Sequence, residues 1–107
     1  MSKFLTAICL LLAILLEVAG TTSMKLSHGF TEFGPSVMIF VFYFLSFLFL
    51  AFSLQRLDMG MAYAIWSGLG TLLLAIIGLV IFSEPLTFIK TISLFLIIVG
   101  VIGLRLA

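Results

Sequence analysis

Phe4 to Met24 reads FLTAICLLLAILLEVAGTTSM, a stretch whose one charged side chain is Glu17. A helix needs about 20 predominantly apolar residues to cross the hydrocarbon layer of a bilayer, and this run is that long. Three more stretches of the same character follow, at roughly 35–54, 60–82 and 87–106. In lipid every backbone N–H and C=O must find its partner inside the segment, so four such runs mean four helices. The expected fold is an all-α integral membrane protein, one four-helix transmembrane domain over residues 1–107 with helices at about 4–24, 35–54, 60–82 and 87–106.

Composition leads to the same place. The chain is 64% hydrophobic and 8% charged over 107 residues, with a mean hydropathy of +1.49. An ordinary soluble domain is about 45–50% apolar and about 25% charged. Small domains bury the smallest fraction of their surface, so a core of this size cannot hide that much apolar area from water. Lipid is the solvent. A net charge of +1 with no basic run indicates neither a nucleic acid nor an acidic partner. Cys9 is alone in an apolar stretch, which implies no disulfide and no metal cluster, only a small buried hydrophobe. Lys3 followed by Phe4–Leu16, with small residues at Ala19 and Gly20, imitates a cleavable signal peptide. Glu17 at the end of its apolar region is atypical for one, and the segment is read as the first span.

The punctuation between spans is polar. Lys25 to Gly34 contains Lys25, His28, Glu32 and two glycines, and Pro35 suits the first position of the second helix. His28 has no other ligand types at metal-binding spacing and reads as a solvated loop residue. Gln55, Arg56 and Asp58 mark the second turn; Ser83, Glu84 and Pro85 mark the third, where Pro85 cannot continue a helix. Four spans put both termini on one side. Lys3, Arg56 and Arg105 then lie on the terminal side, with Lys25 and Lys90 opposite. Orientation follows the Lys/Arg bias, and three against two is almost none.

Eight of the nine charges fall at helix ends or in loops; Glu17 lies inside a span. An ionisable residue there is costly and marks function by default, the bland alternative being a protonated carboxyl that glues helices together. At helical spacing from Glu17 stand Ala13, Gly20 and Thr21, small residues that let a helix or a ligand come close. Tyr63, Trp66 and Gly70 share one face of the third span, and Tyr43 and Phe47 one face of the second. Such stripes are commonly plain packing. Here they include the only Trp and both Tyr residues, placed inside helices rather than in the interfacial belts where they usually collect. One carboxylate among polar aromatics makes a site for an organic cation. No nucleophile–base pair, metal cluster or phosphate-cradling glycine loop indicates an enzyme or a cofactor. Gly68 and Gly70 read as close packing or a flexible point in the third helix.

The residues also carry a family resemblance over essentially the whole chain. Leu16-Glu17-Val18-Ala19-Gly20-Thr21-Thr22-Ser23-Met24-Lys25, with Gly29-Phe30 and Pro35-Ser36-Val37, resembles the first helix and loop of the small multidrug resistance transporters. Gly60-Met61-Ala62-Tyr63-Ala64-Ile65-Trp66-Ser67-Gly68-Leu69-Gly70 is similar to their third-helix signature. The resemblance implies that Glu17 binds both proton and substrate, that Tyr43, Tyr63, Trp66 and Ser67 line the substrate pocket, and that Gly68 and Gly70 form a hinge in helix three. It implies a dimer contact through Gly100 in helix four, where Ser93 and Gly103 are further small residues. Ser93 stands where glycine is expected, and it is still small. An antiparallel dimer exchanging protons for cations in the bacterial inner membrane is the assembly implied. Guanidinium exporters of the family usually carry Trp three residues after the Glu; Gly20 stands there, and Gly20-Thr21-Thr22 is similar to the quaternary-ammonium and dye exporters.

The expected function is therefore a proton-coupled antiporter of hydrophobic or aromatic cations, with proton and substrate competing for Glu17. Export of guanidinium or polyamine metabolites is the alternative within transport. A membrane assembly subunit is the alternative outside it. The dimer is either an inverted homodimer or a pairing with an oppositely oriented paralogue.

Overall fold

The computed structural model describes residues 2–107. Four helices follow one another: α1 (Lys3–Leu26), α2 (Phe33–Ser53), α3 (Met59–Val80) and α4 (Phe88–Leu106). Each is long and apolar enough to cross a membrane, and no strand occurs among the described residues.

The ends show why the helices begin and stop where they do. The Ser2 hydroxyl accepts the Leu5 N–H at 3.1 Å and caps α1; Thr87 does the same for the Lys90 N–H of α4 at 3.1 Å. These contacts satisfy backbone donors that a helix N-terminus leaves without a partner. α2 begins at Phe33, which makes Pro35 its third residue rather than its first. The position is still tolerated, because the first four N–H groups of a helix have no intrahelical acceptor. α3 ends at Val80, two residues before the boundary expected from hydropathy. There the chain passes through a left-handed Ser83, and the Glu84 N–H closes on the Gly78 carbonyl at 2.9 Å. Between α1 and α2, the fully buried Ser27 donates to the Met24 carbonyl (2.7 Å) and accepts the Phe30 N–H (3.1 Å). It pins a turn in which His28, Gly29 and Phe30 are all left-handed.

α1 is the central helix. It packs against α2 and α3, while α4 rests on α3. The core cluster is Leu10, Ile14 and Val18 of α1 with Ile65 of α3. α4 buries no residue. The four helices form a slab of 40 × 35 × 18 Å, no more than two helices thick when each measures about 10–12 Å across. Large apolar side chains cover the outside, Phe33, Phe88 and Leu106 being about four-fifths exposed, as a lipid solvent requires. At the loop end, the Lys25 ammonium binds the Glu84 carboxylate at 2.6 Å and lies 5.5 Å from the centre of the Phe82 ring. The end of α1 is thereby tied to the α3–α4 connection.

Candidate functional site

Glu17 lies nine residues before the end of α1, about 13 Å inside the helix at 1.5 Å per residue, and its side chain is half-buried. One turn on, the Thr21 hydroxyl donates to Glu17 Oε1 at 2.9 Å. Thr21 Oγ1 also lies 2.6 Å from the Tyr43 hydroxyl of α2. A threonine hydroxyl has one proton. Since that proton goes to Glu17, Tyr43 is the donor of the second bond, and the direction runs Tyr43 to Thr21 to Glu17. That direction belongs to the ionised carboxylate, which only accepts. Protonation of Glu17 supplies a donor and lets the same chain reverse.

Two glycines make the approach possible. A Cβ at Gly70 of α3 would stand 2.8 Å from Glu17 Oε2, and one at Gly20 would stand 2.5 Å from two ring carbons of Tyr43. Gly70 therefore lets α3 lie against the carboxylate, and Gly20 lets the Tyr43 ring lie against α1. Both glycines are buried.

Ala13, one turn before Glu17 and fully buried, anchors the three helices to one another. Its carbonyl accepts the Ser46 hydroxyl of α2 at 2.6 Å and the Trp66 indole N–H of α3 at 3.3 Å. Satisfying both donors matters, because a buried polar group without a partner costs about 1–3 kcal/mol. The bond also fixes the Trp66 ring. From Tyr43 the aromatic rings continue through Phe47 (6.0 Å between centroids) and Trp66 (6.0 Å) to Tyr63 (5.3 Å). Phe47 and Tyr63 are more than half exposed, so this ladder leads from the carboxylate region to the open surface. Faces of such rings attract cations by about 0.5–2 kcal/mol.

The structure thus brings together Glu17, Thr21, Gly20, Tyr43, Ala13, Trp66, Tyr63 and Gly70. Ser67 lies elsewhere: its hydroxyl donates to the Tyr63 carbonyl at 2.7 Å, and the residue lines the groove between α3 and α4 with Gly68 and Gly100. Gly68 meets α4 closely, a Cβ there falling 2.8 Å from Val101 Cγ2 and 3.2 Å from Ile97 Cγ2. α3 runs unbroken past Gly68 and Gly70. On α4, Ser93, Gly100 and Gly103 are all exposed. Two participants were not among the expected site residues, although Phe47 was placed on the Tyr43 face of its span. Phe47 is one of twelve phenylalanines, and its bridging place is set by α2–α3 packing. Ser46 carried a usable signal, a hydroxyl in a span otherwise rich in Phe, Leu and Val.

Comparison with known proteins bears on what this arrangement does. The profile of the Small Multidrug Resistance protein family matches residues 5–97. The chain is 45% identical to the multidrug resistance protein EbrB of Bacillus subtilis, covering 90% of this chain and 82% of that one. It is 41% identical to a guanidinium exporter of Yersinia pseudotuberculosis (94% and 96% covered). With the quaternary ammonium compound-resistance protein QacC of Staphylococcus aureus it shares 38% identity (92% of each).

Proposed function

Because the chain belongs to the small multidrug resistance family, we propose that it exports hydrophobic, often aromatic organic cations in exchange for protons. It is a multi-pass protein of the bacterial inner membrane, as four membrane-crossing helices and that membership require. The observation that carries the reading is the carboxylate of Glu17 inside a span, hydrogen-bonded through Thr21 to Tyr43 and flanked by an aromatic ladder. A charge within a membrane helix is retained for function. Its chemistry admits two positively charged occupants, a proton or a cation, and they exclude each other. Lowering the pH protonates Glu17, removes the counter-charge and weakens cation binding. Exchange follows provided the empty, charged site seldom reorients.

The carrier proposed is an antiparallel dimer. An 18 Å slab does not enclose a cation on its own. α4 offers an unburied face with nothing near Gly100 or Gly103, and small residues favour close helix approach in lipid. Reporters fused to the C-terminus are expected on both faces of the membrane. A single orientation would replace the homodimer with a paralogous pair.

Export of guanidinium is the second reading, favoured by the likeness to the Yersinia exporter; Gly20, where the sequence pattern of such exporters has Trp, weighs against it. Purified protein in detergent should release protons on addition of tetraphenylphosphonium, and Glu17→Gln should abolish release and binding while still inserting. Cation affinity that does not vary with pH, or proton release from Glu17→Gln, would leave Glu17 as a structural link between helices. Good guanidinium flux without any tetraphenylphosphonium binding would favour the second reading.

A further inference from the structure

The three cations of the terminal side, Lys3 at the start of α1, Arg56 before α3 and Arg105 at the end of α4, line one groove of about 290 Å³. None is in an ion pair among the described residues, where the one salt bridge is Lys25–Glu84 at the other end, and none of their side chains has a hydrogen-bond partner there. The wall beneath them is apolar, formed by Ala7, Leu10, Met61 and Ile65 among others. A second groove of about 390 Å³ shares Ala7, Leu10, Ile65 and Arg105 with the first and continues along α1, α3 and α4 to Ile14, Leu69 and Val101. From Lys3 to Ile14 the helix rises about 16 Å, close to the ~15 Å that is half of a 30 Å hydrocarbon layer. The furrow therefore has positive charge at headgroup level and an apolar floor one leaflet deep.

We infer that this furrow holds an acidic phospholipid, its phosphate between Lys3, Arg56 and Arg105 and an acyl chain along Leu10, Ile65 and Val101. Charge complementarity selects the headgroup, since basic pockets between membrane helices take anionic lipid heads and Arg binds phosphate oxygens in a fork. Asp58, the nearest acid in sequence to Arg56, forms no bond with it among the described residues and leaves that guanidinium free. A zwitterionic lipid brings a second positive charge to the same cluster and is disfavoured. Free phosphate would use the cations and leave the apolar furrow unused. The inference is independent of which cation the protein exports.

The test is native mass spectrometry of protein taken from bilayers of equal phosphatidylglycerol and phosphatidylcholine with matched acyl chains, counting retained lipid of each kind. Phosphatidylglycerol should be retained preferentially. Lys3→Gln, Arg56→Gln and Arg105→Gln should each lower that preference about fivefold, from the roughly 1 kcal/mol that one cation contributes near an anionic surface. Lys90→Gln removes the same charge at the opposite end and should change nothing. Ala7→Phe fills the exposed floor shared by both grooves and should lower retention without altering charge. Equal retention of the two lipids would overturn the proposal, as would an equal effect from Lys90→Gln. Displacement of the lipid by excess inorganic phosphate would show an anion site only. If the unsubstituted protein retained both lipids equally and the triple Gln variant lost its dimer, the carboxylates of a second copy would be the true partners of these cations.

Discussion

Gly70→Ala tests whether the position of the Glu17 carboxylate, and not only its charge, governs cation binding. An Ala Cβ would stand 2.8 Å from Glu17 Oε2, whereas ordinary contact begins at 3.4 Å, so the carboxylate must retreat about 0.6 Å. Its far end is flexible and can do so, which makes the substitution cheap for the fold. The retreat turns Oε1 away from the Thr21 hydroxyl, now at 2.9 Å. A hydrogen bond to a charged group contributes about 1.5–3 kcal/mol, and 1.4 kcal/mol is tenfold in an equilibrium constant. Losing it destabilises ionised Glu17 relative to the protonated form. Apparent affinity for tetraphenylphosphonium should then fall about five- to tenfold, the difference between losing a charged and a neutral hydrogen bond, where protons compete for the site, and recover at alkaline pH where they do not. The assay is equilibrium binding in detergent over a pH series, with Gly60→Ala as control because nothing stands within 4 Å of a Cβ there. A loss of equal size at every pH would mean that the methyl group merely blocks the cation. Unchanged affinity throughout would mean that the carboxylate position is unimportant. Either result refutes the reasoning.

Gly20→Ala places a methyl 2.5 Å from two Tyr43 ring carbons, and a ring held by its hydroxyl cannot simply swing aside. Overpacking costs about 1–3 kcal/mol, so the thermal midpoint should drop, and an unaltered midpoint would show that α1 and α2 separate freely. Phe47→Ala opens the aromatic ladder between Tyr43 and Trp66 and should weaken planar aromatic cations more than tetramethylammonium; an equal effect on both would argue against ring recognition. The Lys25 ammonium, by its hydrogen bond first and its charge second, holds the Glu84 carboxyl below its usual range. A depressed carboxyl adds stability above its unfolded value, about 4.3, and loses it as pH falls through the lower folded value. Thermal unfolding in detergent on acidification below about pH 5 should show a limb that Lys25→Gln removes and salt weakens; persistence of that limb in Lys25→Gln would assign it to other groups.

Helix number and type were legible because bilayer thickness dictates the length of every apolar run. The boundaries were less so. Hydropathy ran α3 on to Phe82, while the backbone turns earlier, at a left-handed Ser83 whose conformation no composition signals. Glu17, Thr21, Gly20 and Gly70 were readable from helical spacing, since a period of 3.6 puts i, i+3 and i+4 on one face. What spacing cannot supply is the relative rotation of two helices. That rotation sets Ser67 toward α4 rather than toward the carboxylate and makes Phe47 the ring that joins Tyr43 to Trp66. The three terminal-side cations were placed on one face of the membrane by topology alone; their convergence on one groove needed the packing of α1, α3 and α4.

The place of Glu17 on the central helix has a mechanical consequence for the proposed exchange. α1 is held to α2 by Ser46 and Tyr43 and to α3 by Trp66 and Gly70, so the carboxylate cannot move far without shifting both neighbours. α4 shares no such bond; it packs mainly on α3, closely at Gly68, with Val101 against the core cluster. In the proposed exchange α1, α2 and the Trp66–Gly70 part of α3 would move as one unit and α4 as another. Opening the site to one face and then the other calls for motion between stiff units, as in larger transporters where one repeat rocks against another around a fixed midplane site. One chain contains a single such unit. In the antiparallel dimer proposed above, a second, inverted copy would supply the other, with α4 as the fixed contact, and the two identical units would exchange roles by exchanging conformations.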